Sequence, residues 1–383
     1  MTIKKSGSDL DIHAVSTRRQ LKEFIALPQK IYAADPNWVM PLWFEQLHRF
    51  TQKNPFFQHA RWQAWIVCRD SRVVGRISAQ IDDLFSETQG QAAGFFGLIE
   101  AENDAAVFAL LLETAEVWLR ERGIKQIRGP FNLSVNEECG LLIDGHYTPP
   151  FVMMGHARDY YAGHIEEAGY LKAKDLLAYE IRPDFDAPRV MQRLLERIGN
   201  DIRVRSYRRK NSKDELAILR DIFNDSWSNN WGFVPFTEAE FADIGELLTY
   251  LIDDDFIQIA EIDGRAVAMI VAIPDINQVI RDLHGRLLPF GWLKLLWRLK
   301  VQYPDRARVM LMGVRKQYQQ SRLGTALAFV VIDTVRHALI RRNISNVEMS
   351  WILEDNEGMK GLIEAIGGTP YKRYRIYEKT LQR

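Results

Sequence analysis

The strongest constraint on this chain is a duplication, because its second half repeats its first element by element. Trp65 to Asp82 reads as a strand, an Asp70-Ser71-Arg72 turn and a second strand through Val74, Ile77 and Ala79. Ile257 to Asp275 repeats it around Asp263-Gly264-Arg265, a hairpin signal between Val/Ile/Ala-rich runs. A long amphipathic helix follows in each half, Ala106 to Arg122 ending in Arg-Gly-Ile and Gly324 to Arg342 ending in Arg-Asn-Ile. Each feeds a strand: Lys125 to Gly129, and Ser345 to Leu353, where Val347, Met349 and Trp351 alternate with Glu348 and Ser350. The closures also match. His164-Ile-Glu-Glu-Ala-Gly-Tyr corresponds to Leu362-Ile-Glu-Ala-Ile-Gly-Gly, followed by Lys172 to Ile181 and by Tyr371 to Leu381. A period of about 200 residues is a domain duplication, since solenoid periods run from about 20 to 50. The sequence therefore predicts a flexible N-terminal tail over 1–10, one α/β domain over 11–182 and a second over 183–383. The join falls at the Asp-rich turn between Pro183 and Pro188.

Bulk properties exclude several classes of function. Lys plus Arg equals Asp plus Glu at 50 each, with no long basic block, which argues against general nucleic-acid binding. Cys68 and Cys139 are the two cysteines, in neither a CxxC nor a His-rich spacing, so no disulfide framework and no metal site is expected. Met1 to Leu10 lacks an apolar core, and no uninterrupted apolar run reaches bilayer length. The expected location is cytoplasmic, extending to peripheral contact at the inner membrane.

The halves differ where chemistry is usually built. Gly313 to Leu327 runs from an apolar strand through a basic, polar turn into a helix, an arrangement whose free N–H groups and positive dipole end suit a phosphate. Gly324 permits close backbone approach there. The corresponding stretch of the first half, Phe95 to Asp104, is acidic and disfavours a phosphate, so one anionic ligand per chain is expected. The first half instead inserts Pro130 to Asp159, with Asn132, Ser134, Asn136, Glu137, Glu138, Asp144 and His146 among apolar residues. Such a cluster either lines an acceptor pocket or satisfies the loop's own backbone. The second half inserts Arg281 to Tyr303, where Leu288, Trp292, Leu295 and Leu299 recur at helical spacing beside Lys294, Arg298 and Lys300. This predicts a basic amphipathic helix over 287–300 that packs on the core, covers an acyl chain or lies on anionic lipid.

The order of hairpin, phosphate-turn helix, late strand, short helix and final strands resembles the GNAT superfamily of acyl-CoA-dependent N-acyltransferases. Gln319-x-x-Arg322-x-Gly324 stands in the place of the family's pyrophosphate loop, and Asn356 to Gly367 in that of its second conserved block. Gly129-Pro130-Phe131-Asn132, Trp231-Gly-Phe-Val-Pro, Ser350-Trp-Ile-Leu-Glu-Asp-Asn and Tyr371-Lys-Arg-Tyr-Arg-Ile-Tyr more narrowly resemble a bacterial group of tandem GNAT-like proteins associated with ceramide synthases. The implied fold is α/β (α+β), two tandem GNAT-like domains, each a mixed, mostly antiparallel central sheet flanked by helices.

The resemblance implies acyl-CoA as co-substrate, bound by the second domain without a metal, and an amine acceptor in the cleft between halves, to which the first domain contributes. Met312, Gly313 and Val314 would line the pantetheine arm, Gln319, Arg322, Leu323, Gly324 and Thr325 would surround the phosphates, and Asn356 either caps the helix Glu357 to Ala365 or orients the cofactor. Glu348 and Glu354 are the candidate bases and Tyr374 the candidate acid, although Glu348 alternates with apolar residues and also fits the solvent side of a sheet. Asn132, Asn136, Glu138, Trp231, Asp275 and Asn277 are the acceptor candidates. Two departures from the family pattern stand out: Arg322 replaces the first loop glycine, and Ile363 stands where many members carry a tyrosine that protonates the leaving thiolate. Acyl transfer to a sphingoid base, acetylation of a small amine and non-catalytic binding of acyl-CoA or lipid are the functions this leaves open.

Overall fold

The two hairpins that mark the duplication close as their turn residues dictate. In the computed structural model, which describes residues 2–4, 9–197 and 202–382, Arg69 pairs with Arg72 across Asp70-Ser71, and Ile262 with Arg265 across Asp263-Gly264. All four turn residues have positive φ, as a two-residue type I′ turn requires to match the twist of its strands. The chain forms two units: Met1–Leu176, Leu283–Arg286 and Lys372–Arg383 make unit 1, and Leu177–Asp282 and Leu287–Tyr371 make unit 2.

Unit 1 begins with β1 (Thr2–Lys4), β2 (Leu10–Ala14), α1 (Arg18–Ile31) and α2 (Trp43–Arg49). Thr2–Lys4, expected in a flexible tail, pairs antiparallel with β2; residues 1 and 5–8 of that tail lie outside the described residues. The hairpin β3 (Ala60–Arg69) and β4 (Arg72–Asp82) leads through α3 (Asp83–Gln89) to β5 (Gly94–Ala101), α4 (Ala105–Arg120) and β6 (Gln126–Gly129). The first insertion holds the short strands β7 (Phe131–Asn132), β8 (Glu138–Cys139) and β9 (Leu141–Asp144), followed by α5 (Tyr160–Glu167) and β10 (Leu171–Ile181). Neighbours run β1-β2-β3-β4-β5-β6, all antiparallel except β5 with β6. Phe24, Ile25 and Leu27 of α1 pack on Ala64 and Ile66 of β3 and on Leu98 of β5, forming the core on that face.

Unit 2 follows the same plan. It contains α6 (Arg189–Arg197), β11 (Ile202–Ser206), α7 (Ser212–Trp227), α8 (Glu238–Leu251), β12 (Ile257–Ile262) and β13 (Arg265–Pro274). Then come α9 (Ile276–Ile280), α10 (Gly291–Trp297), β14 (Arg306–Val314), α11 (Arg322–Arg341), β15 (Asn346–Leu353), α12 (Glu357–Ala365) and β16 (Thr369–Thr380). Neighbours run β11-β12-β13-β14-β15, antiparallel except β14 with β15. α11 is long and apolar enough on average to cross a membrane by length and composition, although Asp333 and Arg336 interrupt its apolar run. Leu327, Val331, Val335 and Ala338 are nonetheless buried, so the apolar content is that of a core helix, each large side chain contributing about 1.5–3 kcal/mol by burial.

The unit boundary falls inside β10, after Leu176, and not at Pro183 to Pro188. β10 begins in unit 1 and ends in unit 2, whereas β16 begins in unit 2 and ends in unit 1, where Tyr377–Thr380 pairs with β6. Each repeat thus gives most or part of its closing strand to the other unit, an exchange that equivalent sequences in the two halves permit.

Candidate functional site

In unit 2, β14 and β15 stay paired for four residues only, Arg306 with Asn346 through Val309 with Met349. Both strands continue, β14 to Val314 and β15 to Leu353, so they part beyond Val309 and Met349. A register shift between Val271 and Ala272 leaves Met310 as an extra residue on β14 at that point, and a bulge bends the strand that carries it. Leu311–Val314 stays paired with β13 on one edge and is unpaired with β15 on the other. Trp227 of α7 reaches the same stretch, its Nε1 donating to the Met312 carbonyl at 3.0 Å.

At the base of the parting lies a buried polar cluster. Arg308 and Glu348 stand opposite each other in the parallel register, 3.7 Å apart between Nε and Oε1, and both are buried. Arg308 Nε donates to Ser350 Oγ at 2.9 Å, and Ser350 Oγ donates to Glu348 Oε1 at 2.7 Å. Tyr371, half-buried on β16, donates its hydroxyl to Glu348 Oε2, and the Arg308 guanidinium lies 5.4 Å from the Trp351 ring. Sequence reasoning named Glu348 but passed over Arg308, Ser350 and Tyr371 as site residues. The available signal was a charged residue in the middle of each of two apolar strands, because a buried charge needs a partner. Tyr374, the candidate acid, lies in unit 1 and is fully buried; the tyrosine beside Glu348 is Tyr371.

The turn after β14 is tied down by its own side chains. Gln319 Nε2 donates to the Ser226 and Val314 carbonyls at 3.0 and 2.8 Å, and Lys316 N–H donates to Asp225 at 2.8 Å. Ser321 caps α11, accepting the Gly324 N–H on Oγ at 3.0 Å and the Thr325 N–H on its carbonyl at 3.1 Å. Of the donors expected to face a phosphate, the cap therefore engages Gly324 and Thr325 and leaves the first turn's Arg322 and Leu323, both exposed. A Cβ on Gly324 would stand 2.1 Å from the Tyr318 carbonyl, so the close approach this glycine allows is to its own loop. Asn356 caps α12, its Oδ1 accepting from Met359 N–H at 3.1 Å, and Glu354 sits half-buried in the turn before it, its carbonyl accepting from Lys360 Nζ. Gly313 packs on Ser226 of α7.

Unit 1 has the same parting but fills it. β5 pairs with β6 only at Gly94–Ile127 and Phe95–Arg128, and the segment after β6 then lies against β5. A Cβ on Gly97 would fall 1.8 Å from the Phe131 carbonyl. Asn132 Oδ1 accepts the Leu98 N–H at 2.7 Å, its Nδ2 donates to Glu138 at 3.0 Å, and Gln80 Nε2 donates to the Phe131 and Leu133 carbonyls. Arg49 holds the far side, pairing with Glu137 at 2.7 Å. Asn132 and Glu138, acceptor candidates in sequence, thus serve the packing of their own insertion, and Asn136 N–H donates to Ser134 Oγ at 3.1 Å in the same turn. Of the candidates in unit 2, Asp275 is buried and caps α9 at Asn277 N–H, with Arg306 3.4 Å away. Trp231 is half-buried in the loop after α7.

Unit 1 holds a buried polar centre of its own. Glu100 on β5 accepts hydroxyl bonds from Tyr32 at 2.8 Å and Tyr161 at 2.6 Å, with Arg76 at 3.9 Å. Burial raises the Glu100 carboxyl above its usual range, while Arg76 and the two phenols act to lower it. His156 Nε2 bonds Asp35 at 3.0 Å, and burial lowers its pKa from 6.5 although Asp35 opposes the shift. Among the described residues no group of His, Cys, Asp and Glu could hold a metal ion.

No known family model matches the chain. It is 49% identical over 365 residues, 95% of its length and 94% of the relative's, to a protein named YghO from Escherichia coli strain K12. It is 46% identical over 384 residues, all of both chains, to a protein named bacterial ceramide synthase from Caulobacter vibrioides. Among solved structures, a tandem GNAT protein from the clavulanic acid biosynthesis pathway superposes with a TM-score of 0.58 at 11% identity, covering 98% of this chain and 99% of that one.

Proposed function

The chain belongs to the family of Escherichia coli YghO and the Caulobacter vibrioides bacterial ceramide synthase, with the tandem GNAT fold, and we propose that it moves an acyl group from a CoA thioester to an amine. The observation that supports this best is the parting of β14 from β15 above the Arg308–Glu348–Ser350–Tyr371 cluster. Acyl transfer forms a C–N bond as a C–S bond breaks, so a proton must leave the amine and another must reach the sulfur. Glu348 acting through Tyr371, or Glu354 from the adjoining turn, takes the first proton. A tyrosine hydroxyl supplies the second, Tyr371 fitting this better than Tyr374. Backbone N–H groups of Met312, Gly313 or Val314 answer the oxyanion that develops on the thioester oxygen.

The anionic end of the CoA donor meets the exposed start of α11, where Arg322 and the Leu323 N–H replace the closer backbone cradle that a glycine would give. Replacing Arg322 by Gly tests this part alone: weaker binding of CoA supports it, and unchanged affinity reduces Arg322 to a surface charge. Unit 1 holds no second CoA in this proposal, because its equivalent parting is filled by Phe131–Leu133.

The name of the Caulobacter relative points to a fatty acyl donor and a sphingoid-base acceptor, and we carry both to this chain, with Trp231 and Asn277 as acceptor contacts and a cytoplasmic setting. Thiol release measured over donors from acetyl-CoA to long-chain acyl-CoA, with sphingoid bases and small amines as acceptors, is the test. Faster turnover of acetyl-CoA with a small amine would replace ceramide formation by acetylation. A second reading, binding of acyl-CoA without chemistry, draws on Ile363, buried at the place where many family members carry the acid tyrosine. Tight CoA binding with no thiol release from any pair would favour it.

A further inference from the structure

The second insertion presents its apolar residues outward. Between Arg281 and Tyr303 the sequence carries five cations, Arg281, Arg286, Lys294, Arg298 and Lys300, against the single acid Asp282, in a chain of zero formal net charge. The sequence stripe of Trp292, Leu295 and Leu299 predicts one apolar face. In the fold Leu295 and Leu299 are half-buried, whereas Trp292, Leu293, Leu296, Trp297 and Val301 are all exposed. Those five positions lie on one side of α10 and the π turn Arg298–Gln302 that continues it. Leu288 and Phe290, 80% and 72% exposed, extend the patch toward the N-terminal side.

Polar contacts, with little apolar packing, hold the segment in place. Arg298 Nη1 donates to the Val279 carbonyl at 2.6 Å, Lys294 and Arg298 both pair with Asp282, and Tyr303 donates to Asp253 at 3.1 Å. No residue of α10 or of the π turn is buried. An exposed apolar run of this extent marks an interaction surface. Its composition narrows the partner: Trp and Phe suit the boundary between headgroups and acyl chains, and the excess of cations complements anionic headgroups. A proteinaceous groove of neutral character would not call for the five-to-one excess.

We propose that residues 287–301 dock unit 2 on the surface of a bilayer containing anionic lipid, Trp292, Leu293, Leu296, Trp297 and Val301 entering the interface while Lys300 and the neighbouring cations meet the headgroups. The proposal stands independently of the acyl-transfer chemistry and needs no turnover to be tested. The full chain is sedimented with vesicles of phosphatidylcholine alone and of phosphatidylcholine with about one third phosphatidylglycerol. Wild-type protein is expected to pellet with the anionic vesicles and to be released by salt. The double variant Leu296→Asp, Trp297→Asp should lose affinity by about tenfold or more, and Lys300→Glu by about fivefold, with unchanged thermal melting as the folding control. Wild-type protein left in the supernatant with both vesicle types overturns the proposal. So does a double variant that pellets like wild type, or a dimer in vesicle-free buffer that the double variant converts to monomer while vesicle binding is absent, which would assign the face to a second copy of the chain.

Discussion

Removing Arg308 would leave the Glu348 carboxylate buried with two hydroxyl donors and no opposing charge, a change that typically costs about 3–5 kcal/mol. That stability cost makes Arg308 a poor probe of chemistry, and Tyr371 a better one. Tyr371→Phe keeps the ring and deletes only the hydroxyl that Glu348 accepts. If the hydroxyl moves a proton during acyl transfer, kcat should fall about 100-fold with KM for acyl-CoA nearly unchanged. A shift confined to the melting temperature would make the bond structural. Alternation along β15 made Glu348 visible in the sequence, but its meaning depended on Arg308, about forty residues earlier on a different strand. Only the parallel register brings them together, and register between distant strands is not written in either strand alone.

His156 gives a second residue-scale prediction. Among the described residues no partner meets its buried Nδ1, while Nε2 bonds Asp35, so protonation would add an N–H there without an acceptor from them. The folded-state pKa is therefore lowered from 6.5, burial being the main cause. The contribution of a lowered pKa is fully present above the unfolded value and is lost as pH falls from 6.5 toward the folded one. Asp35 titrates elsewhere: burial acts to raise its pKa, the bonds from His156 and the Asn37 N–H outweigh that, and its own loss begins only below 3.8. Urea midpoints measured between pH 7.5 and 5 should fall for wild type and fall less for His156→Gln. Parallel slopes for the two proteins would show that His156 does not govern this window.

At the scale of elements, the hairpins, the two long helices and the late strands were legible because turn chemistry and apolar periodicity are local. The exchange of closing strands was not. Lys172 to Ile181 and Tyr371 to Leu381 read as equivalent segments, and a pattern shared by both copies cannot say which unit receives which strand. Asp175 ties β10 to β16 within unit 1. It is fully buried on β10, paired with Arg375 at 2.8 Å, Arg373 at 3.2 Å and Lys172 at 3.2 Å, the two arginines coming from β16. Burial alone would raise its pKa, but these bonds hold it below the usual carboxylate range. Asp175→Asn keeps the shape and removes the charge while three cations stay. The expected loss is about 2–3 kcal/mol in urea unfolding, moderated by the partial exposure of the cations, and a loss under about 0.5 kcal/mol would mean that β16 is held by its backbone pairing instead.

The whole molecule is one plan used twice with one copy altered. The acidic stretch before α4 already argued in sequence that the first half does not hold phosphate, and Asp104 does cap that helix, its Oδ1 accepting the Ala106 N–H at 2.8 Å. The second reason lies outside the reach of sequence reading, where Asn132 looked like a polar group awaiting an acceptor. Its side-chain carbonyl instead takes the Leu98 N–H, beside the contact between Gly97 and Phe131 that excludes even a methyl group. A thioester arm would have to displace this segment and break the Gln80 and Arg49 bonds that hold it. Native mass spectrometry with a non-hydrolysable acyl-CoA should therefore find one molecule per chain at saturation. Gly97→Ala should lower stability by about 3 kcal/mol or more, since a buried backbone must shift to admit the methyl, without changing that stoichiometry. Two bound molecules on the wild-type chain would show that the insertion yields to the ligand, and that the duplicated partings are both working sites.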